Sequence, residues 1–246
     1  LKHKASGRTD VIKTLTSDHS SAESQVRLLR RLRHRNIARL LDTYTAESTK
    51  GRPGFVHLAL ECCRGGSLYD FLFDRPEPGG AQPEVAPTLS HQAVSAISYC
   101  HEFGVCHRDV KLDNFLLASN ADVPNIKLVD FGLACGFHAG GKMQTKVGTP
   151  HYIAPEVLLG AYSEKCDVWS LGVVVFLICV GRPPIQGARD EEILGKVAAG
   201  NPDYGEQDWA ALGLKEARAM LGNMLAKNDK ARWPAPALLR HKWLAS

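Results

Sequence analysis

His107-Arg108-Asp109-Val110-Lys111-Leu112-Asp113-Asn114 sets a carboxylate, a cation and a carboxamide in one short loop. Phosphoryl transfer needs that set. An acidic oxygen accepts or orients the proton of an attacking hydroxyl, a cation offsets charge on the moving group, and an amide oxygen holds Mg²⁺ without adding another carboxylate. Asp109, Lys111 and Asn114 fit those roles in turn. Any one of them alone is an ordinary solvated loop residue, so the joint spacing carries the reading.

A further acid follows at Asp130-Phe131-Gly132, after the apolar run Ile126 to Val129, which predicts a short strand. A carboxylate just past a strand end can chelate Mg²⁺, Phe131 is expected to pack inward, and Gly132 lets the backbone turn where a Cβ would obstruct it. Downstream stand Gly148-Thr149-Pro150-His151-Tyr152-Ile153-Ala154-Pro155-Glu156 and Asp167-Val168-Trp169-Ser170-Leu171-Gly172. With these phrases in this order, the chain resembles a eukaryotic protein kinase domain over nearly its whole length. Glu164-Lys165-Cys166-Asp167-Val168-Trp169-Ser170 is most similar to the calcium-dependent and calmodulin-dependent serine/threonine kinases.

The resemblance implies an α+β, two-lobed fold. Residues 1–60 would form a small, mainly β N-lobe that is truncated, 61–63 the hinge, and 64–246 a larger, mainly α C-lobe. It also implies transfer of the γ-phosphoryl group of ATP, with Mg²⁺, to serine or threonine hydroxyls of a protein substrate. Asp109 and Lys111 would be the catalytic pair, and Asn114 and Asp130 the Mg²⁺ ligands beside the nucleotide. Lys13, on a strand predicted over Asp10 to Leu15, stands where kinases carry the lysine that touches the α- and β-phosphates. Leu60 would guard the back of the adenine pocket. Glu61 and Cys63 belong to the hinge, which binds through backbone groups, so no reactive thiol is expected at Cys63.

Composition narrows the alternatives. A chain of 246 residues, 44% hydrophobic and 23% charged, has the make-up of an ordinary globular protein. The net charge of +4 is modest, and its concentration at Arg27, Arg30, Arg31, Arg33, Arg35 and Arg39 reads as a solvated helix face, without a nucleic-acid partner. Seven cysteines, odd in number and without Cys-x-x-Cys pairing, read as reduced thiols of an intracellular, cytoplasmic protein. The apolar run Leu171 to Val180 is too short to span a bilayer and predicts a buried core helix. No signal-sequence pattern is present. The oligomeric state stays open.

Several departures from the family pattern shape the functional reading. Kinases carry a Gly-x-Gly-x-x-Gly loop ahead of the strand lysine, whereas here Gly7 is a lone turn glycine after Lys2 to Arg8; the simplest expectation is a fragment or an incomplete gene model. A helix is predicted over Ser20 to Leu32. The family's glutamate partner for the lysine, nine positions before the histidine of His34-Arg35-Asn36, falls on Gln25. Glu23 lies roughly 200° around the helix and cannot replace it. Gln25 and the missing glycine loop favour an alternative, a pseudokinase acting as a nucleotide-binding or scaffolding module. The set Asp109, Lys111, Asn114 and Asp130 favours an enzyme.

Strands are predicted over Leu40 to Thr45 and Phe55 to Leu60, around a turn at Gly51 to Gly54. The prolines and glycines of residues 74–88 predict an unstructured inserted loop, followed by a helix from Leu89 to Phe103. Pro183-Pro184 is expected to end the buried helix, with further helices over Glu191 to Ala199, Leu214 to Ala226 and Ala237 to Leu244. By resemblance, Glu156 pairs with Arg232, Asp167 holds the backbone of the catalytic loop, and Arg108 is suited to a phosphate on the segment that carries Thr145 and Thr149. Ser67 and Leu177 stand where basic-substrate kinases carry acids, which leaves Asp113 as the remaining acid near that cleft and predicts weak selection for upstream arginine. No calcium-binding hand lies within these 246 residues, so calcium control cannot be claimed for them and stays open for a parent chain.

Overall fold

The computed structural model describes residues 9–16, 20–46, 54–74, 79–119, 124–205, 209–210 and 212–245. The predicted strand end and turn at Lys2 to Arg8 and most of the turn at Gly51 to Gly54 lie outside them.

Strands β1 (Asp10–Thr16), β2 (Leu40–Ala46) and β3 (Phe55–Glu61) form an antiparallel sheet in the order β1-β3-β2. The central strand β3 buries Val56, Leu58 and Ala59, and its register sets Lys13 opposite Leu58 and Val11 opposite Leu60. The β2–β3 register shifts between Leu40 and Asp42, so Leu41 is an extra residue. Helix α1 (Ser20–Arg31) turns Ala22, Gln25, Leu28 and Leu29 inward at helical spacing. Glu23 in its first turn and Arg30 and Arg31 in its last suit the helix dipole.

The helical body follows. Helix α2 (Leu68–Phe73) starts in a capping box: Ser67 Oγ accepts from Asp70 N at 3.0 Å, and the Asp70 carboxylate accepts from Ser67 N at 2.9 Å. Next come α3 (Ala86–Glu102), β4 (Val105–Cys106), β5 (Phe115–Leu117), β6 (Ile126–Leu128) and β7 (Cys135–Gly136). The short strands pair as two ribbons, β4 with β7 and β5 with β6, which carry the loops of the site. The remaining helices are α4 (Pro155–Leu159), α5 (Lys165–Val180), α6 (Asp190–Ala199), α7 (Lys215–Met224) and α8 (Ala235–Leu238). Every residue of α5 from Cys166 to Cys179 is buried, as its all-round apolar sequence requires of a central core helix. Among the described residues no helix is long and apolar enough to cross a membrane.

Four expectations need correction. Helix α3 begins at Ala86, three residues early, because Pro87 sits in its first turn, where a missing N–H costs no hydrogen bond. The described part of the 74–88 insertion is anchored: Gly79 N donates to Leu72 O at 3.1 Å, and Ala81 N donates to Ile178 O at 2.6 Å. Helix α5 ends at Gly181, ahead of Pro183-Pro184. Its φ of 74° closes the helix in the left-handed region, and a Cβ there would stand 2.4 Å from Gly80 N. The last helix spans Ala235–Leu238 and gives way to turns before Leu244, with Trp243 and Leu244 buried.

Candidate active site

The loop His107 to Asn114 hangs between β4 and β5, and a buried carboxylate fixes its shape. Asp167, in the first turn of α5, accepts from His107 N and Arg108 N, both at 2.8 Å, and meets His101 Nε2 at 2.9 Å. Burial opposes ionisation of Asp167, but the hydrogen bond and charge of His101 and the His107 amide outweigh it and hold its pKa below the ordinary range. Arg108 is thereby held at φ 66°, a conformation an L-residue keeps only when its surroundings impose it.

His107 is fully buried and bridges two loops. Its Nε2 lies 3.0 Å from Val129 O, and its Nδ1 accepts from Asp109 N at 3.3 Å, which together require the neutral tautomer protonated on Nε2. Burial lowers its pKa in the same sense. The ring packs edge-on to Phe131 with centroids 4.9 Å apart, so Phe131 points inward as expected.

Asp109, Lys111 and Thr149 form a closed triangle. Lys111 Nζ lies 2.9 Å from Asp109 Oδ2, Thr149 Oγ1 donates to Asp109 Oδ1 at 2.8 Å, and Lys111 Nζ donates to Thr149 Oγ1 at 3.1 Å. Asn114 directs Nδ2 to Asp109 O at 2.8 Å and to Asp109 Oδ2 at 3.1 Å. Its Oδ1 makes no hydrogen bond among the described residues. Asp130, at φ 56°, accepts on Oδ1 from Lys13 Nζ at 2.6 Å and from Gly132 N at 3.1 Å, which leaves Oδ2 without a partner there. Half-burial works against the Asp130 charge, yet the hydrogen bond and charge of Lys13 lower its pKa. Hard oxygens on Asn114 and Asp130 are the donor type that Mg²⁺ takes, so the residues present fit that ion.

A cavity of about 370 Å³ opens beside Lys13 and Asp130, lined by Val11, Leu60, Leu116, Val129 and Gln25. Apolar walls with charged groups at one end suit a heterocycle carrying phosphates. Gln25 is buried there but makes no hydrogen bond to Lys13 among the described residues. Glu61 and Cys63 do not line this cavity. The Glu61 carboxylate turns away to Lys127 Nζ at 2.9 Å, and burial, followed by the Glu61 charge, pushes the Cys63 thiol up to about 11. A hinge role would rest on backbone groups, and of these the Glu61 amide already donates to Arg39 O at 2.9 Å.

Behind the site, Glu156 and Arg232 pair as expected, with Nη1–Oε1 2.5 Å and Nη2–Oε2 2.8 Å, and the guanidinium also stacks on Trp169 with its carbon 5.1 Å from the ring centre. Arg108 donates Nε to Leu133 O at 2.6 Å and Nη1 to Tyr162 Oη at 3.3 Å. His101 and the bridging role of the His107 ring were missed in the sequence. A histidine in the last turn of α3 carries no signal of its own until the fold brings Asp167 beside it.

Comparisons with known proteins give the family. The model of the protein kinase domain family matches residues 1–244. Calcium-dependent protein kinase 3 of Plasmodium berghei is 34% identical over 220 residues, covering 89% of this chain and 38% of that protein. A probable myosin light chain kinase of Dictyostelium discoideum is 31% identical over 251 residues, 99% of this chain and 62% of the relative. Calcium-dependent protein kinase 15 of rice, Oryza sativa subsp. japonica, is 31% identical over 250 residues, 98% and 44% respectively. The chain thus spans between 38% and 62% of these relatives' lengths. With that match over almost all of its residues, this chain belongs to the protein kinase domain family.

Proposed function

We propose that the chain transfers the γ-phosphoryl group of Mg-ATP to serine or threonine hydroxyls of a protein substrate. The observation that carries the reading is the Asp109–Lys111–Thr149 triangle. The Asp109 carboxylate is the group able to orient an incoming hydroxyl and receive its proton, and Lys111, 2.9 Å away, offsets negative charge that builds on the transferring group. Asn114 Oδ1 and Asp130 Oδ2 would hold Mg²⁺, which when bound neutralises phosphate charge. Lys13 would meet the α- and β-phosphates. Leu60 and the backbone of Glu61 and Cys63 would hold the adenine, with residues 61–63 as hinge between an N-lobe through residue 60 and a C-lobe from residue 64. The test is phosphate transfer from Mg-ATP to a mixed peptide pool, with Asp109→Asn beside it. Transfer that vanishes in the variant supports the reading.

A second reading rests on Gln25. With a neutral amide in place of a carboxylate, α1 gives Lys13 no counter-charge, and Lys13 pairs with Asp130 instead. A pseudokinase would keep nucleotide binding without transfer. Mg-ATP would then raise the melting temperature while the peptide pool stays unlabelled.

A further inference from the structure

A second cavity, of about 560 Å³, lies apart from the nucleotide cleft and shares no lining residue with it. Its wall carries Arg33, Arg35, Arg39 and Lys127, with Leu41 as an apolar patch and Glu61 as the single carboxylate. A smaller hollow of about 180 Å³ shares Arg33, Arg39 and Leu41 and so continues it as a groove, adding one further carboxylate, Asp42, whose Oδ1 accepts from Thr43 N at 2.8 Å. Leu41 reaches both because it is the extra residue at the β2 irregularity.

The arginines are unequal in a telling way. Arg30 and Arg31, in the last turn of α1, already donate to Thr43 Oγ1 and Phe103 O. The guanidinium groups of Arg33, Arg35 and Arg39 are exposed and make no hydrogen bond or ion pair among the described residues. Their backbones, in contrast, are pinned: Arg33 N donates to Tyr99 Oη, Arg35 O accepts from Lys127 Nζ, and Arg39 N donates to Glu61 Oε2. Three unspent cations are therefore held on one rim by fixed anchors. Glu61 does not neutralise them, since its carboxylate is taken up by Lys127 and the Arg39 amide. His34, on the same wall, has its pKa lowered first by burial and next by the charge of Arg35.

We infer that this groove is a docking site for an acidic peptide segment of a partner protein. Guanidinium groups bind carboxylates through paired, parallel hydrogen bonds, and several carboxylates spaced along an extended segment match several cations spaced along a rim. The volume far exceeds that of one inorganic anion, and the Leu41 patch gives an apolar side chain of the segment somewhere to rest. A nucleic acid fits less well, because the described residues of the wall include no phenylalanine, tyrosine or tryptophan on which bases stack.

The test titrates the chain into a fluorescein-labelled peptide of alternating glutamate and leucine and follows anisotropy. We expect saturable binding that weakens as salt is raised. Binding should fall at least about tenfold, or about 1.4 kcal/mol, when Arg33→Ser, Arg35→Ser and Arg39→Ser are combined. The single variants, checked by melting temperature, supply the same ordering if the triple variant does not fold. Arginine-to-lysine changes at the same positions should lose less than the serine changes. Equal affinity for the serine variants overturns the inference. So does displacement by a single-stranded oligonucleotide at lower concentration than the unlabelled peptide, which would make the groove a nucleic-acid surface. Displacement by inorganic phosphate as readily as by peptide overturns it too, in favour of a simple anion site.

Discussion

Lys13 Nζ sits 2.6 Å from Asp130 Oδ1, while Gln25, where the resemblance places a glutamate, makes no hydrogen bond to that ammonium among the described residues. The lysine thus takes its charged partner from Asp130 and none from α1. Gln25→Glu is expected to return a charge-assisted bond from α1, roughly twice as strong as a neutral one, and to raise transfer about threefold to tenfold. Lys13→Met should lower it about a hundredfold or more. Initial rates across ATP concentration read both, and an unchanged Gln25→Glu rate would mean that α1 does not support the lysine.

The Asp167 carboxylate predicts a specific acid sensitivity. Its folded pKa lies below its ordinary value of 3.8, so the unfolded chain binds the proton more readily. The stability it contributes is complete above that ordinary value and is lost as pH falls through the lowered folded one. Asp167→Asn should be less stable than the parent near neutrality, with the gap narrowing as the medium is taken below about pH 4. Urea midpoints at several pH values check this.

Glu156 and Arg232 are nearly withdrawn from water, with the arginine side chain fully buried and the glutamate side chain 10% exposed. Removing one partner strands the other charge. Arg232→Ala should therefore cost about 3–5 kcal/mol in chemical denaturation. Replacing both by apolar residues of similar volume should cost much less than either single change, because no unpaired charge then remains.

Two glycines should respond with opposite sign. Gly181→Ala meets Gly80 N at 2.4 Å and demands φ 74° of an alanine, and should lose about 2 kcal/mol or more. Gly195→Ala, inside α6 with open space around the new methyl, should gain about 0.5–1 kcal/mol. Denaturant midpoints of the two variants give the comparison directly.

Much of this architecture could be read in the linear chain where a residue type serves one chemistry at one spacing. Asp109, Lys111 and Asn114 are such residues, and so is the all-round apolar run that became α5. Glu156 with Arg232 was also legible, since a buried charge requires an opposite one. The anchored loop at Gly79 to Ala81 was not, because its glycines read equally as freedom or as close approach until Gly181 is seen beneath them. The start of α3 is hidden for a related reason: Pro87 breaks a helix interior but is welcome in a first turn. The unspent arginines behind β2 looked like a uniform solvated face. Only the positions of Thr43, Phe103 and Glu61 separate those already engaged from those left free.

The Glu156–Arg232 pair also bears on how the domain is made. The two residues are 76 positions apart, with the arginine the later one. At about 5–20 residues per second, a ribosome needs about 4–15 s to go from one to the other. Throughout that interval the nascent chain holds an anion that its final interior will accept only with its partner, so helix α4 cannot dock in its finished place until synthesis has passed the last long helix. Assembly of the helical body is therefore tied to a late-arriving residue, and a chain released before Arg232 emerges would expose the very core that the pair closes.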